Sequence, residues 1–166
     1  MVQLWVNLRG KDKTAKPGYQ TLLKSQIPAA ELPQAAGTVR VIAGELNGTK
    51  GPAKTFTPIN LWDVNLRAGK SAELPLPDVH TTAFLVLSGE VSANGERKAG
   101  EGDLAIFDRT GDGISVKATS DAKLLVMGGE PIAEPVVGHG PFVMNSRTEI
   151  QQAFEEYQLG KMGEID

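Results

Sequence analysis

Cysteine is absent from this 166-residue chain. That excludes disulfide staples, thiolate metal sites and a catalytic thiol. Long hydrophobic runs are absent too, and no apolar stretch approaches the roughly 18–20 residues needed to cross a bilayer. The amino terminus, Met1-Val2-Gln3-Leu4-Trp5, lacks a basic region followed by an apolar run. No secretory signal is visible, so a cytoplasmic location is expected. Asn47-Gly48-Thr49 fits a glycosylation pattern but, without a signal, reads as a turn. There is no excess of positive charge: the formal net charge is −3. Lys and Arg are scattered, and the densest spot, Lys11, Lys13 and Lys16, sits among loop residues. Nothing here favours nucleic acid or an anionic membrane as a partner. No internal repeat or low-complexity segment is present.

What remains is an ordinary globular composition, 40% hydrophobic and 22% charged, long enough for one domain with a real core. Nineteen Gly and ten Pro punctuate short apolar runs, which predicts many strands joined by tight turns. Val2–Leu8 alternates and predicts a strand. Arg9–Ala36 predicts a long irregular connection, with at most a short helix near Thr21–Ser25. Val39–Ala43 reads as a strand, Gly44–Lys54 as a loop, and Leu61–Leu66 as a strand with Trp62, Val64 and Leu66 inward. Ala83–Ala93 reads as one longer strand, closed by the hairpin signal Asn94-Gly95. Leu104–Phe107, Ile114–Ala118 and Lys123–Met127 complete the run. Regular strands without intervening helices imply an all-β sandwich or barrel. The end changes character: Ser146-Arg147-Thr148-Glu149 is a capping box. Ile150, Ala153, Phe154 and Tyr157 then form one helical stripe, which Gly160 is placed to end. The expected organisation is a strand and irregular connection (1–36), a barrel (37–145), and a helix with its tail (146–166).

Several stretches resemble the pirin family of the cupin superfamily. They are Gln3-Leu4-Trp5-Val6-Asn7-Leu8, Gly37–Gly44, Glu73-Leu74-Pro75-Leu76-Pro77, Gly128–Val137 and, most specific, Gly140-Pro141-Phe142-Val143-Met144-Asn145. They follow the family's order across nearly the whole chain. The resemblance implies a cupin-type double-stranded β-helix barrel, a jelly roll, with a carboxy-terminal helix. Pirin-like proteins carry two such barrels, and the amino-terminal one holds the metal, usually iron, on His and Glu side chains. This chain resembles the carboxy-terminal barrel alone, so iron is expected only in the absent barrel.

The general cupin pattern can be laid on the sequence. Gly69 and Gly89 fit the ends of its first motif, and the ligand positions between them become Pro75, Pro77 and Thr82. Gly100-Glu101-Gly102 supplies the turn of the second motif, and its His position becomes Ala105. Pro and Ala offer no donor, and a Thr hydroxyl is a poor ligand for iron or zinc. His80 is the only imidazole nearby, with Asp78 and Asp108 the nearest carboxylates, and it reads as a loop residue. His139 precedes a Gly-Pro turn and reads as structural. Neither His has a Ser and an acid in a nucleophile-elbow context. Glu101 with Asp103, and Asp108 with Asp112, read as solvated turn residues, and Gly111-Asp112-Gly113 is too short for a phosphate loop.

The leading expectation is therefore a metal-free, non-catalytic scaffold or interaction module. It would pair with itself as a homodimer or with a separately encoded metal-bearing barrel. One alternative is half of a quercetin-type dioxygenase with its iron on another chain. Another is a small-molecule barrel with Trp62, His80, Phe84 and Phe107 at a pocket or mouth.

Overall fold

The computed structural model describes residues 2–95 and 97–163. Met1 and residues 164–166, the ends of the expected first and last segments, lie outside the described residues. The chain forms two compact units, one of residues 22–131 and the other of residues 1–21 with 132–166. These boundaries differ from 37 and 145; before residue 37, Ala29–Glu31 already pairs with residues 38–40.

Among the described residues the larger unit contains twelve strands. They are β1 (Ala29–Glu31), β2 (Gly37–Ala43), β3 (Glu45–Leu46), β4 (Thr49–Lys50), β5 (Ile59–Leu66), β6 (Ser71–Pro75), β7 (Thr81–Ser88), β8 (Glu90–Ala93), β9 (Arg97–Gly100), β10 (Leu104–Ile106), β11 (Gly113–Ala118) and β12 (Ala122–Gly129). A six-stranded sheet runs in the order β1-β2-β5-β12-β7-β10, and a four-stranded sheet runs β6-β11-β8-β9. All pairings are antiparallel, and most neighbours are distant in sequence, as a jelly roll requires. Alternate residues of both sheets face one core, including Val39, Val41, Trp62, Val64, Leu74, Phe84, Val86, Val91, Val116, Leu124 and Val126, all essentially inaccessible. The all-β cupin reading is the observed fold.

Several local expectations hold. Trp62, Val64 and Leu66 point inward as their alternation requires. Asn47-Gly48 makes the two-residue turn between β3 and β4, with φ of 48° and 85°, so Gly44–Lys54 is a loop carrying a minimal hairpin. Asn94 and Gly95, at φ of 49° and 75°, turn β8 into β9.

Others are corrected. Ala83–Ala93 is two strands in different sheets, broken at Gly89 with φ of 80°. A Cβ there would meet the Asp121 carbonyl oxygen at 2.3 Å, so only glycine allows the crossing. The connection before residue 37 contains β1, a short edge strand flanked by Pro28 and Pro33, where proline is tolerated. The helical turn near residue 24 is 3-10, Lys24–Gln26.

In the smaller unit Val2–Leu8 is not a strand. Its alternation supplies a pattern but no neighbour, and Val2, Leu4, Trp5 and Val6 are all exposed. A hairpin of β13 (Val137–His139) and β14 (Phe142–Met144) packs on α1 (Arg147–Gln158). The Ser146 hydroxyl accepts from the Glu149 N–H at 3.2 Å, while the Glu149 carboxylate accepts from the Asn145 N–H at 2.8 Å. The reciprocal cap thus reaches one residue earlier than the sequence pattern implies. Of the apolar stripe, Ile150 and Ala153 are buried and Phe154 half-buried, whereas Tyr157 is mostly exposed. Gly160 at φ of 68° ends the helix: its N–H donates to the Tyr157 carbonyl and that of Lys161 to the Glu156 carbonyl. Glu134 ties the unit together, accepting from the Gly10 N–H at 2.7 Å and the Asn145 amide at 2.5 Å.

Candidate functional site: the mouth of the barrel

One end of the larger unit opens into a cavity of about 730 Å³. It lies where β6, β7, β10 and β11 begin or end, with the β8–β9 hairpin along one side. Leu76, buried just past β6, and Ile114, buried near the start of β11, form apolar wall. Phe107 follows β10 and packs on the buried Phe84 with ring centroids 5.6 Å apart.

The positions that the cupin pattern assigns to ligands can now be located. Pro77, Thr82 and Ala105 line this one cavity, though far apart in sequence. Pro75 does not; it is an exposed residue at the end of β6. The residues at this convergence do not fit a transition metal, since two carry no donor atom and the third only a hydroxyl. Among the described residues no three His, Asp or Glu side chains gather where they could hold an ion.

His80 also lines the cavity, through a tight turn. Its N–H donates to the Pro77 carbonyl at 3.3 Å. The preceding Val79 has φ of 62°, a conformation strained for a β-branched residue. Two bonds hold it there: the Val79 N–H donates to the Arg109 carbonyl at 2.8 Å, and the Gly111 N–H to the Asp78 carboxylate at 2.9 Å. The Nδ1 atom of His80 is buried without a hydrogen-bond partner among the described residues.

Trp62 and Phe84, expected at a pocket or mouth, do not line the cavity; both are fully buried core residues. Of the charged side chains at the opening, the three basic ones are not singled out in the sequence, whereas Asp103 and Asp108 read there as turn residues. The set is Arg97 and Lys98 on β9, Arg109 and Asp108 after β10, and Asp103 before it. No local pattern marks the basic ones, because the fold alone brings the hairpin and the β10–β11 loop to one rim. Of the carboxylate pairs considered, Asp103 is a turn residue, accepting from the Gly100 N–H at 2.8 Å. His139 lies in the smaller unit, edge-on to Phe154 at 5.2 Å, as a packing residue.

An antiparallel barrel with this strand order, and with three of the four positions that the cupin pattern marks lining one mouth, is a cupin domain. Comparison with known proteins gives the family. Residues 61–163 match the Pirin C-terminal cupin domain. A Pseudomonas aeruginosa protein, named only provisionally as a quercetin 2,3-dioxygenase, is 48% identical over 161 residues, covering 97% of this chain and 56% of that protein. Human pirin is 36% identical over 168 residues, covering 98% of this chain and 57% of its own length. The crystal structure of a quercetin 2,3-dioxygenase from Acinetobacter baumannii superimposes with a TM-score of 0.90 at 40% identity, over 96% of this chain and 55% of that one. The chain belongs to the pirin family, in which it corresponds to the carboxy-terminal cupin domain. It spans little more than half the length of the relatives it matches. No helix among the described residues is long and apolar enough to cross a membrane.

Proposed function

We propose that this chain is a metal-free cytoplasmic scaffold that completes an assembly, docking on a second copy of itself or on a separate metal-bearing cupin barrel. The observation that carries the reading is the outer face of the six-stranded sheet. The edge strand β10 exposes Leu104 and Ile106, at 55% and 71%. In register they stand beside Leu85 and Ala83 of β7, and these stand beside Leu125 and Met127 of β12. Cross-strand partners share a face, so the six residues make one apolar strip. An unprotected apolar edge is a surface that proteins ordinarily cover. The smaller unit supports the same reading with Trp5, 71% exposed, beside a groove formed with Val6, Pro141 and Val143.

Native mass spectrometry and sedimentation at micromolar concentration test the proposal. A dimer is expected, reduced to monomer by Leu104→Lys with Ile106→Lys. A wild-type chain that stays monomeric, alone and when co-expressed with a His-bearing cupin barrel, would refute it. Metal analysis separates the second reading, half of a two-chain dioxygenase of the quercetin type, which the names of the relatives support. There, iron and activity should follow the partner barrel and be absent from this chain by itself. About one tightly held metal per isolated chain would overturn the metal-free reading.

A further inference from the structure

We propose that the mouth of this barrel is a binding site for a small aromatic acid bearing a second polar group. Its volume of about 730 Å³ lies within the range that holds small molecules. Its lining divides by chemistry. Leu76, Phe107 and Ile114 give an apolar wall suited to a flat ring. Arg97 enters the rim from β9 and Arg109 from the loop after β10.

The charges there do not cancel. Lys98 lies 3.9 Å from Glu90, which is outside the lining, and Asp103 accepts from the neutral Gly100 N–H and keeps its charge. Three cationic side chains, Arg97, Lys98 and Arg109, therefore line the mouth against two carboxylates, Asp103 and Asp108. Arg97 and Arg109 have no ion pair among the described residues, and their guanidinium groups suit a carboxylate ligand, in a chain whose overall charge is −3.

His80 supplies the second requirement. Its Nδ1 is shut away from the cavity, so the other ring nitrogen of this half-buried lining residue is the one that a ligand hydroxyl would meet. The strained Val79 holds this histidine in the cavity wall, and such strain clusters where a ligand is held. The carboxylate would face the two arginines, the ring Phe107, and the hydroxyl His80. The site borders the outer sheet face, since Leu104 and Ile106 also line the cavity, and it needs no metal.

The test is a titration of the purified full chain, by calorimetry and amide NMR, with 4-hydroxybenzoate, its neutral analogue 4-hydroxybenzamide, and benzoate. Saturable binding of the hydroxy acid is expected, with shifts confined to cavity residues and the amide weaker by about tenfold. Arg97→Gln with Arg109→Gln should weaken the acid by about the same factor and leave the amide and the melting temperature unchanged. His80→Phe should weaken 4-hydroxybenzoate but not benzoate. Equal affinity for acid and amide, shifts mapping elsewhere, or no saturation up to the solubility limit would overturn the proposal.

Discussion

Arg40→Met should destabilise the protein by about 2–3 kcal/mol, a figure that follows from how Asp63 is held. Asp63 lies on β5 directly across from Arg40 on β2. Its side chain is 8% exposed and that of Arg40 30%. The guanidinium donates to one carboxylate oxygen from Nη2 at 2.6 Å and from Nε at 3.1 Å. The other oxygen has no hydrogen-bond partner among the described residues, and the Lys123 ammonium stands 3.9 Å from the oxygen that Arg40 binds. Stripping one partner from a buried pair leaves an uncompensated charge, at about 3–5 kcal/mol. Here the exposure of Arg40 and the surviving lysine reduce that figure.

The matching control is Arg40→Met with Asp63→Leu, which removes both charges at once. It should lie within about 1 kcal/mol of wild type, because apolar replacement of a whole pair is often neutral. Urea unfolding followed by circular dichroism measures both variants, with the slope unchanged if only stability moves. For a chain of this length the single variant should melt about 4–12 °C lower. If the single variant costs less than about 0.5 kcal/mol, or the double is as unstable as the single, the reasoning fails.

Two further outcomes follow from the packing and the polar network. Phe84→Ala should cost about 3–5 kcal/mol, because the ring is fully buried against Phe107, and calorimetric unfolding will show a smaller loss if the site collapses. Glu134 is held below the usual carboxylate range by the Gly10 N–H and then by the Asn145 amide. A depressed folded pKa contributes stability that is full above the unfolded value and is lost as pH falls through the folded one. The melting-temperature gap between wild type and Glu134→Gln should therefore be widest near neutrality and close as the solution is acidified below the usual carboxylate range. A gap that stays constant through acid would contradict the assignment.

The sequence by itself determined the features that depend on a few neighbouring residues. Alternation placed Trp62, Val64 and Leu66 on one face of β5, because a strand's side chains alternate whatever lies beside it. Asn47-Gly48 and Asn94-Gly95 marked turns because few residues accept positive φ. Ser146, Glu149 and Gly160 marked the ends of the helix because caps are local hydrogen bonds. The ordered stretches also pointed to the family that the comparisons show.

Tertiary structure decided whatever needed a distant partner. Val2–Leu8 alternates as well as a strand does, yet no strand among the described residues pairs with it. Polar Arg97–Gly100 carries no strand signal, yet β8 recruits it. Gly89 divides one apolar run because the chain must cross close over the Asp121 carbonyl. The site belongs to this second group. Pro77, Thr82 and Ala105 share a wall, Pro75 does not, and Arg97 meets Arg109 at one rim, only because strands far apart in the chain end together. Convergence of that kind is a property of the closed barrel and not of any local stretch of residues.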